Sequence, residues 1–332
     1  MRTAKCRDVD YIDLLIATPD ASTCAEAVRV QEPSPRALAH GSSTRPLTRI
    51  EPDPEVLWEE ARGLVAADAG ALVIDNSTLD KPHAEGIDLA TQHRSGEHWV
   101  AAPGINPISL VRADGDRKIP VDHRIHDKAD GKTKNDHFRG MMPMAKGRGL
   151  APKYALFDGW YASPEDLEQA RDLGWLWLTR PKHSRKVNPE GRGGVALASA
   201  AISAADTVIH LVGYGPIRVF ELVARGGDIE HRATNDLGMG EMTRRQYAER
   251  ALAIETDHRD LEQTRGVERS QARSARARGN HIGMSLRAFL RPEWHLYTTG
   301  VGRCEAKERV VRDAVTRYIV EPLYGLPGPS IA

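Results

Sequence analysis

Two short apolar runs that each end in an aspartate are the clearest pattern in this chain. Residues 71–74 are followed by Asp75, and residues 154–157 are followed by Asp158. Apolar runs of this length, bounded by polar residues, predict buried strands, so each aspartate is expected at the carboxyl end of a strand. Further strands are predicted at 97–102, 106–112 and 118–125, which makes a meander after the first strand.

Capping residues and helical periodicity place helices between these strands. Residues 53–54 predict a helix start, and Ser163, followed by a proline and two acids, predicts another. A strand is predicted at 175–179, which gives a strand–helix–strand unit that is expected to be parallel and right-handed. A long helix is predicted over 241–263. Near the N-terminus, Pro46 falls inside a short helical run, where it is expected to disturb the helix interior.

Glycine-rich turns set residues 181–240 apart from the rest of the chain. They separate β-like runs at 207–212 and 218–223, so a β-rich insertion is predicted there. The chain is therefore divided into four regions: 1–50, a small helical N-terminal region; 51–180, the first part of an α/β core; 181–240, the β-rich insertion; and 241–332, C-terminal helices that complete the core.

Length and cysteine content narrow the class of protein. The chain has 332 residues, enough for one large domain or two modest ones. Its three cysteines lie far apart with no CxxC pair, so neither a zinc site nor a disulfide framework is indicated. With no signal peptide and no apolar run near the ~20 residues of a membrane span, a cytoplasmic protein without a membrane partner is expected.

The balance of charges at first argues against a nucleic-acid partner. Lysine plus arginine and aspartate plus glutamate both number 46, so the net charge is zero. Local basic stretches nevertheless allow a neutral chain to bind DNA. One such stripe contains Arg265, Arg269, Arg273, Arg276, Arg278 and Arg287, and a second set contains Lys146, Arg148, Lys153, Lys182, Arg185 and Lys186. The alternative interpretation of the stripe is a solvated helix face.

Asp75, Asp158 and Glu255 form the candidate catalytic set. Two aspartates at strand ends and a glutamate on a helix provide an oxygen-only pocket for two divalent cations, which suits phosphodiester chemistry. Each acid also has a simpler interpretation. The aspartates are possible turn residues, and Glu255 is a possible partner of Arg259 on an exposed helix face. Asp80 competes with Asp75 as the first ligand but lies beyond the expected strand end.

The stretches around these acids resemble the DDE transposases of bacterial insertion sequences. The similarity rests on 73–82, 155–163 and 253–263, with a continuation at 266–273 and 280–283, so it covers most of the chain. The subgroup in question carries its last acid in a YREK-type helix. Its core is an RNase H-like mixed sheet flanked by helices, with a β-rich insertion between the second aspartate and the glutamate. The resemblance thus implies the same α/β fold class here.

The resemblance also implies an activity and partners. The expected function is two-metal hydrolysis at the ends of an insertion sequence, followed by strand transfer into target DNA. Two Mg²⁺ ions, replaceable by Mn²⁺, are expected on Asp75, Asp158 and Glu255. The expected partners are terminal inverted repeats and target DNA, bound by a homodimer in the bacterial cytoplasm. Candidate phosphate contacts are Lys81, Arg250, Arg259, Arg269 and Arg273, and His258 is expected to support a ligand carboxylate or a phosphate.

This chain departs from the YREK pattern in two places. Tyr247 and Arg250 keep their mutual spacing but lie one residue too far from Glu255, and Glu262 occupies the expected lysine position. A carboxylate there repels the DNA backbone. Two alternatives therefore stay open: an RNase H-like DNA nuclease or resolvase, and a catalytically weakened DNA-binding remnant of a transposase.

Overall fold

Helices pack on both faces of a mixed sheet. The computed structural model describes residues 6–17, 24–29, 41–42, 44–81, 86–94, 101–115, 117–189, 193–203, 206–223, 227–251, 267, 270 and 272–321. Within these ranges the helices are α1 (Asp8–Ala17), α2 (Cys24–Arg29), α3 (Arg45–Arg49), α4 (Glu55–Ala61), α5 (Lys134–Gly147), α6 (Pro164–Asp172), α7 (241–251), α8 (Ala275–Thr299) and α9 (Arg303–Val320). No helix in the described ranges is long and apolar enough to cross a membrane.

The strands of the described residues belong to one sheet. They are β1 (Ala71–Asn76), β2 (Leu79–Asp80), β3 (Thr91–Arg94), β4 (Ala101–Asp114), β5 (Arg117–His126), β6 (Tyr154–Phe157), β7 (Leu176–Thr179), β8 (Lys186–Asn188), β9 (Val195–Ala196), β10 (Thr207–Leu211), β11 (Gly215–Val223) and β12 (Ile229–Thr234). The main path runs β2-β4-β1-β6-β7-β12-β11-β10-β8-β9, and β3 and β5 also pair with β4. The sheet is therefore mixed, with an antiparallel majority.

Strand β1 joins an antiparallel part of the sheet to a parallel part. It pairs antiparallel with β4, which pairs antiparallel with β5, and on its other edge it runs parallel to β6. Strand β7 runs parallel to β6, as the strand–helix–strand pattern around α6 predicted. Ile74 lies beside Phe157, and Phe157 lies beside Thr179. The carboxyl ends of β1, β6 and β7 therefore meet at one end of the sheet.

Two sequence predictions about the first strands and the N-terminus are wrong in detail. Separate strands were expected at 97–102 and 106–112. Residues 101–114 instead form the single strand β4. Residues 95–100 lie outside the described residues. Strand β4 simply changes partners along its length, from β3 to β2 to β1 and β5. Pro46 does not disturb α3, since it lies in the first turn, where a backbone amide has no helical partner.

Strands from residues 181–240 extend the same sheet. Strand β12 pairs antiparallel with β7, and β11, β10, β8 and β9 continue outward from β12. The β-rich stretch is thus hydrogen-bonded directly to β7, which is the neighbour of β6, the strand that Asp158 follows.

Both faces of β1 are buried by helices. Leu72 and Ile74 lie in a large apolar cluster that also contains Phe138 of α5 and Phe289 of α8. Val73, on the opposite face, belongs to a second cluster that includes Tyr247 and the strand residue Leu156. Because alternate residues of a strand point to opposite faces, this pattern places β1 at the centre of the fold.

Helix α1 packs on α8 rather than standing apart from the core. Ile12 and Leu15 share a buried apolar cluster with Met284 of α8. The Tyr11 hydroxyl is 2.9 Å from Nδ1 of His281, and both side chains are buried. The described part of the N-terminal region is therefore helical, and its first helix is packed against the C-terminal helix α8.

An ion-pair network fixes this junction. Arg287 contacts Asp8 at 2.8 Å and Glu60 at 2.6 Å, and Arg291 contacts Glu60 at 2.6 Å. Burial alone would raise the pKa of Glu60, but hydrogen bonds from Arg291 and Arg287, together with their charges, lower it below its usual value. The ionised carboxylate is therefore favoured by folding.

Glu60→Gln is expected to lower the free energy of unfolding by about 2–3 kcal/mol near neutral pH, because two arginines lose their shared carboxylate. Since the pKa of Glu60 is lowered in the folded protein, its contribution is present above the usual value of 4.5 and is lost as the pH falls below it. Urea unfolding between about pH 7 and about pH 3 measures both effects.

The matched control is Glu59→Gln. The exposed ion pair of Glu59 with Arg62 spans 2.9 Å, so its loss is expected to cost less than about 0.5 kcal/mol. The difference in the free energy of unfolding between Glu60→Gln and the wild type is expected to shrink at acid pH. A difference that stays constant would contradict the stabilising role assigned to the ionised Glu60 carboxylate.

Candidate active site

The structure brings Asp75 and Asp158 together at the carboxyl ends of β1 and β6. Asp75 is the penultimate residue of β1, and Asp158 follows the last residue of β6 directly. The two strands are adjacent and parallel, and the residues that precede the two acids are in register. Both side chains line one cavity, which Ala251 of α7 also lines. Two acids far apart in sequence thus share one site.

The backbone around Asp158 is held by specific hydrogen bonds. Asp158 caps a short 3₁₀ turn, and its Oδ1 accepts a hydrogen bond of 2.9 Å from the amide of Trp160. The Thr179 hydroxyl donates to the Asp158 carbonyl at 3.2 Å. Gly159 passes so close to β7 that a Cβ there would lie 2.3 Å from the Arg180 carbonyl oxygen. Only glycine fits at this approach, and it fixes the path of the chain behind Asp158.

Positive side chains lie close to the two acids. The pKa of Asp158 is raised because the effect of burial is larger than the opposing effects. Hydrogen bonds from the following turn and the charges of Lys134 and Lys182 act to lower it. The carboxylate still reaches solvent in the cavity, but the surrounding protein removes part of its hydration. The pKa of Lys134 is lowered, because burial outweighs the charges of Asp158 and Asp75, which act to raise it. The Asp158 carboxylate is therefore incompletely hydrated, a condition that favours a bound cation.

The cavity has a volume of about 410 Å³ and a mixed polar and apolar wall. Its basic lining residues are Arg180, Lys182 and Arg232. Arg180 also forms an ion pair of 2.5 Å with Glu230 of β12. Carboxylates can bind a metal ion, and cationic side chains can neutralise phosphate oxygens. This combination of side chains suits a phosphate-containing substrate that binds together with a metal ion.

The donor set fits part of a magnesium site. Asp75 and Asp158 offer carboxylate oxygens, which are the ligands that Mg²⁺ prefers. Among the residues that the structure describes, no group of three or more histidine, cysteine, aspartate or glutamate side chains gathers as a metal site. Glu255, the expected third ligand, and His258 lie outside the described residues, as does Glu262.

The candidate phosphate contacts are spread over the molecule. Lys81 follows β2, and its amide donates to the Pro103 carbonyl at 2.8 Å. Arg250 lies on α7, with its guanidinium 4.8 Å from the centre of the Tyr247 ring. Arg273 is exposed just before α8. None of these three lines the cavity. Arg259 and Arg269 fall outside the described residues.

Within the described residues, the arginines of the basic stripe predicted between 265 and 287 do not form one exposed face. Arg278 is buried, and its Nε and Nη2 atoms make no hydrogen bond. Arg287 is also buried, in the ion pairs with Asp8 and Glu60. Arg276 pairs with Glu51 at 2.8 Å. The reason is that α8 is packed on several sides, so arginines spaced around it cannot all reach solvent.

Sequence reasoning missed several residues in and near the cavity. It did not single out the lining residues Trp160, Arg180 and Arg232, and it treated Lys182 only as part of a basic set. It also missed Lys134, which does not line the cavity but interacts with both acids. One signal was present, because Trp160 is an aromatic residue only two positions after Asp158. Lys134 carried no such signal, since it is far from the acids in sequence and reaches them through the position of α5.

Comparison with known proteins gives a similarity of fold. The sequence matches no protein-family model, and no curated protein is significantly similar to it. The structure is similar to the piggyBac transposase in a cryo-EM synaptic complex with hairpin DNA, with a TM-score of 0.52 and 9% identity, covering 96% of this chain and 72% of that one.

A second solved structure, the Drosophila P element transposase in a strand transfer complex, matches with a TM-score of 0.24 and 9% identity. That alignment covers 90% of this chain and 64% of the P element protein. Its score is below the level that indicates a common fold. Of these two comparisons, the one with the piggyBac transposase therefore shows a similarity of fold.

Proposed function

We propose that this protein is a DNA transposase with an RNase H-like catalytic core, of the type found in bacterial insertion sequences. The observation that carries the proposal is the convergence of Asp75 and Asp158 on one cavity, at the carboxyl ends of adjacent parallel strands. The similarity of fold to the piggyBac transposase supports it. We assign five strands to the RNase H-like sheet: the meander β5-β4-β1 and the parallel strands β6 and β7 that follow it.

Asp75 and Asp158 would hold two Mg²⁺ ions, with Glu255 as the third ligand. Glu255 is four residues after Ala251, about one turn along the helix that the sequence predicts, and Ala251 lines the cavity. When bound, such ions polarise a phosphodiester and stabilise its leaving oxygen. Mn²⁺ supplies the same chemistry because it accepts the same oxygen ligands.

The protein's own side chains would bind and orient the DNA strand. Lys182 and Arg232, at the cavity wall, are placed to neutralise phosphate oxygens as the strand approaches the acids. The hydrogen bond from the Trp160 amide keeps one Asp158 oxygen oriented. These contacts prepare the site before the strand arrives, so less ordering is needed when it binds.

Further DNA contacts are proposed outside the cavity. Lys81, Arg250, Arg259, Arg269 and Arg273 would neutralise phosphates of the element end and of the target, with His258 supporting the acids. The β-rich strands β8–β12 would contact the element end. A homodimer assembled on DNA would bring two element ends together in the cytoplasm of a bacterium.

The test uses duplex DNA taken from both flanks of the protein's own gene. With Mg²⁺, the protein is expected to nick this DNA at a defined position and to join the free 3′ end to a supercoiled plasmid. Without a divalent cation, neither product is expected. Nicking without joining would indicate the alternative, an RNase H-like nuclease. DNA binding without metal-dependent nicking would indicate a catalytically weakened remnant.

A further inference from the structure

Trp160 is an exposed aromatic residue on the wall of the cavity that holds the two acids. Its side chain is 52% exposed, whereas the next residue, Tyr161, is fully buried and stacks on Phe138 at 5.1 Å. Leaving an indole in water has no benefit for packing, since a buried aromatic contributes much more to stability. The exposed part of the ring is therefore accessible to a ligand in the cavity.

The backbone of Trp160 is fixed on both sides. Its amide donates to Asp158 at 2.9 Å, and its carbonyl accepts from the Asn135 side chain at 3.4 Å. Gly159 is packed against the Arg180 carbonyl. The indole is thus attached to the same turn that orients the Asp158 carboxylate. A group that stacks on the ring has a defined position relative to the acids.

Two lysine side chains flank the indole. The Nζ atom of Lys134 lies 5.3 Å from the centre of the Trp160 ring, and that of Lys182 lies 5.1 Å from it. Lys134 is half-buried and also donates to Oδ1 of Asn106 at 3.0 Å. An aromatic ring with ammonium groups beside it is the combination that binds single-stranded nucleic acid, with the base on the ring and the phosphates on the lysines.

We propose that Trp160 stacks on an unpaired nucleotide next to the phosphate held at Asp75 and Asp158, while Lys134 and Lys182 neutralise the flanking phosphates. The position of the reacting phosphate rests on the proposed function. The stacking itself does not, because it needs only the exposed ring and the lysines. The site then prefers a strand that is locally unpaired over a continuous duplex.

The test compares two labelled DNA probes without any divalent cation. One is a single strand of about a dozen nucleotides, and the other is the same strand in a blunt duplex. Fluorescence anisotropy gives the dissociation constants for the full-length protein. Trp160→Leu is expected to weaken single-strand binding about tenfold and to change duplex binding less than about twofold. Trp160→Phe, which keeps an aromatic face, is expected to retain most of the single-strand affinity.

The matched control is Trp294→Leu. Trp294 is 51% exposed, like Trp160, but it lies on α8 beside Tyr297 and does not line the acid-bearing cavity. Its replacement is expected to leave both affinities unchanged. Unaltered single-strand binding by Trp160→Leu overturns the proposal, and so does an equal loss on both probes. Because no metal is present, this outcome is independent of the cleavage assay that tests the proposed function.

Discussion

Asp158→Asn is expected to abolish metal-dependent DNA cleavage while leaving DNA binding nearly unchanged. The amide has the size of the carboxylate and still offers an oxygen to the Trp160 amide, so the turn after β6 keeps its shape. It lacks the negative charge that binds a divalent cation. Loss of that charge stabilisation is expected to reduce the cleavage rate at least about 10³-fold. Asp75→Asn is expected to behave in the same way.

Single-turnover cleavage of a labelled flank duplex in Mg²⁺ measures this effect, and a gel-shift assay in EDTA measures binding. Asp80→Asn is the matched control, because Asp80 was the other candidate for the first ligand but belongs to β2 and does not line the cavity. It is expected to cleave at close to the wild-type rate. If Asp158→Asn cuts normally, or if only Asp80→Asn fails, the acid pair is assigned incorrectly.

Gly159→Ala is expected to reduce cleavage about 100-fold, because a displacement of about 1 Å at a catalytic group has effects of this size. The added methyl group would lie 2.3 Å from the Arg180 carbonyl oxygen and 3.4 Å from the Lys182 amide nitrogen. Since these contacts are to backbone atoms, the turn that carries Asp158 has to move. The strain is also expected to lower the free energy of unfolding by about 1–3 kcal/mol.

Cleavage kinetics together with urea unfolding separate the two effects of Gly159→Ala. Gly140→Ala is the control, since Gly140 is exposed on α5 and a Cβ there meets nothing within 4 Å. Alanine in a helix is expected to raise stability there by about 0.5–1 kcal/mol and to leave cleavage unchanged. Wild-type cleavage by Gly159→Ala would show that the turn tolerates a shift and that its position is not critical.

The central strands of the sheet were predictable from local sequence. Apolar runs identified β1 and β6 together with the acids at their ends, and the capping residue Ser163 with Pro164 identified α6. These signals are local because a strand buried on both faces needs consecutive apolar residues, and a helix start needs a capping side chain. The strand–helix–strand unit around α6 predicted only the parallel pairing of β6 and β7. That Asp75 lies close to Asp158 was expected from the family resemblance, and the structure shows it in the parallel pairing of β1 with β6.

Features that depend on long-range packing were not predictable in this way. Local sequence does not indicate whether an arginine side chain is exposed, like that of Arg273, or buried in ion pairs, like that of Arg287. The difference arises because α1 and α4 pack against α8 and bring Asp8 and Glu60 to Arg287. Lys134 was missed for the same reason, since only the docking of α5 places it near the acids.

The contact between α1 and α8 has a consequence for how the chain is made. The residues joined by the Tyr11–His281 hydrogen bond are 270 positions apart, so the first helix leaves the ribosome long before its partner exists. At typical synthesis rates this interval lasts roughly 15–50 s, during which the apolar face of α1 lacks its cover from α8 and can pack only on nearby residues such as Ala27 and Leu47. Folding of the nascent protein is thus completed only after α8 has emerged, and premature termination before that helix releases a fragment prone to aggregation.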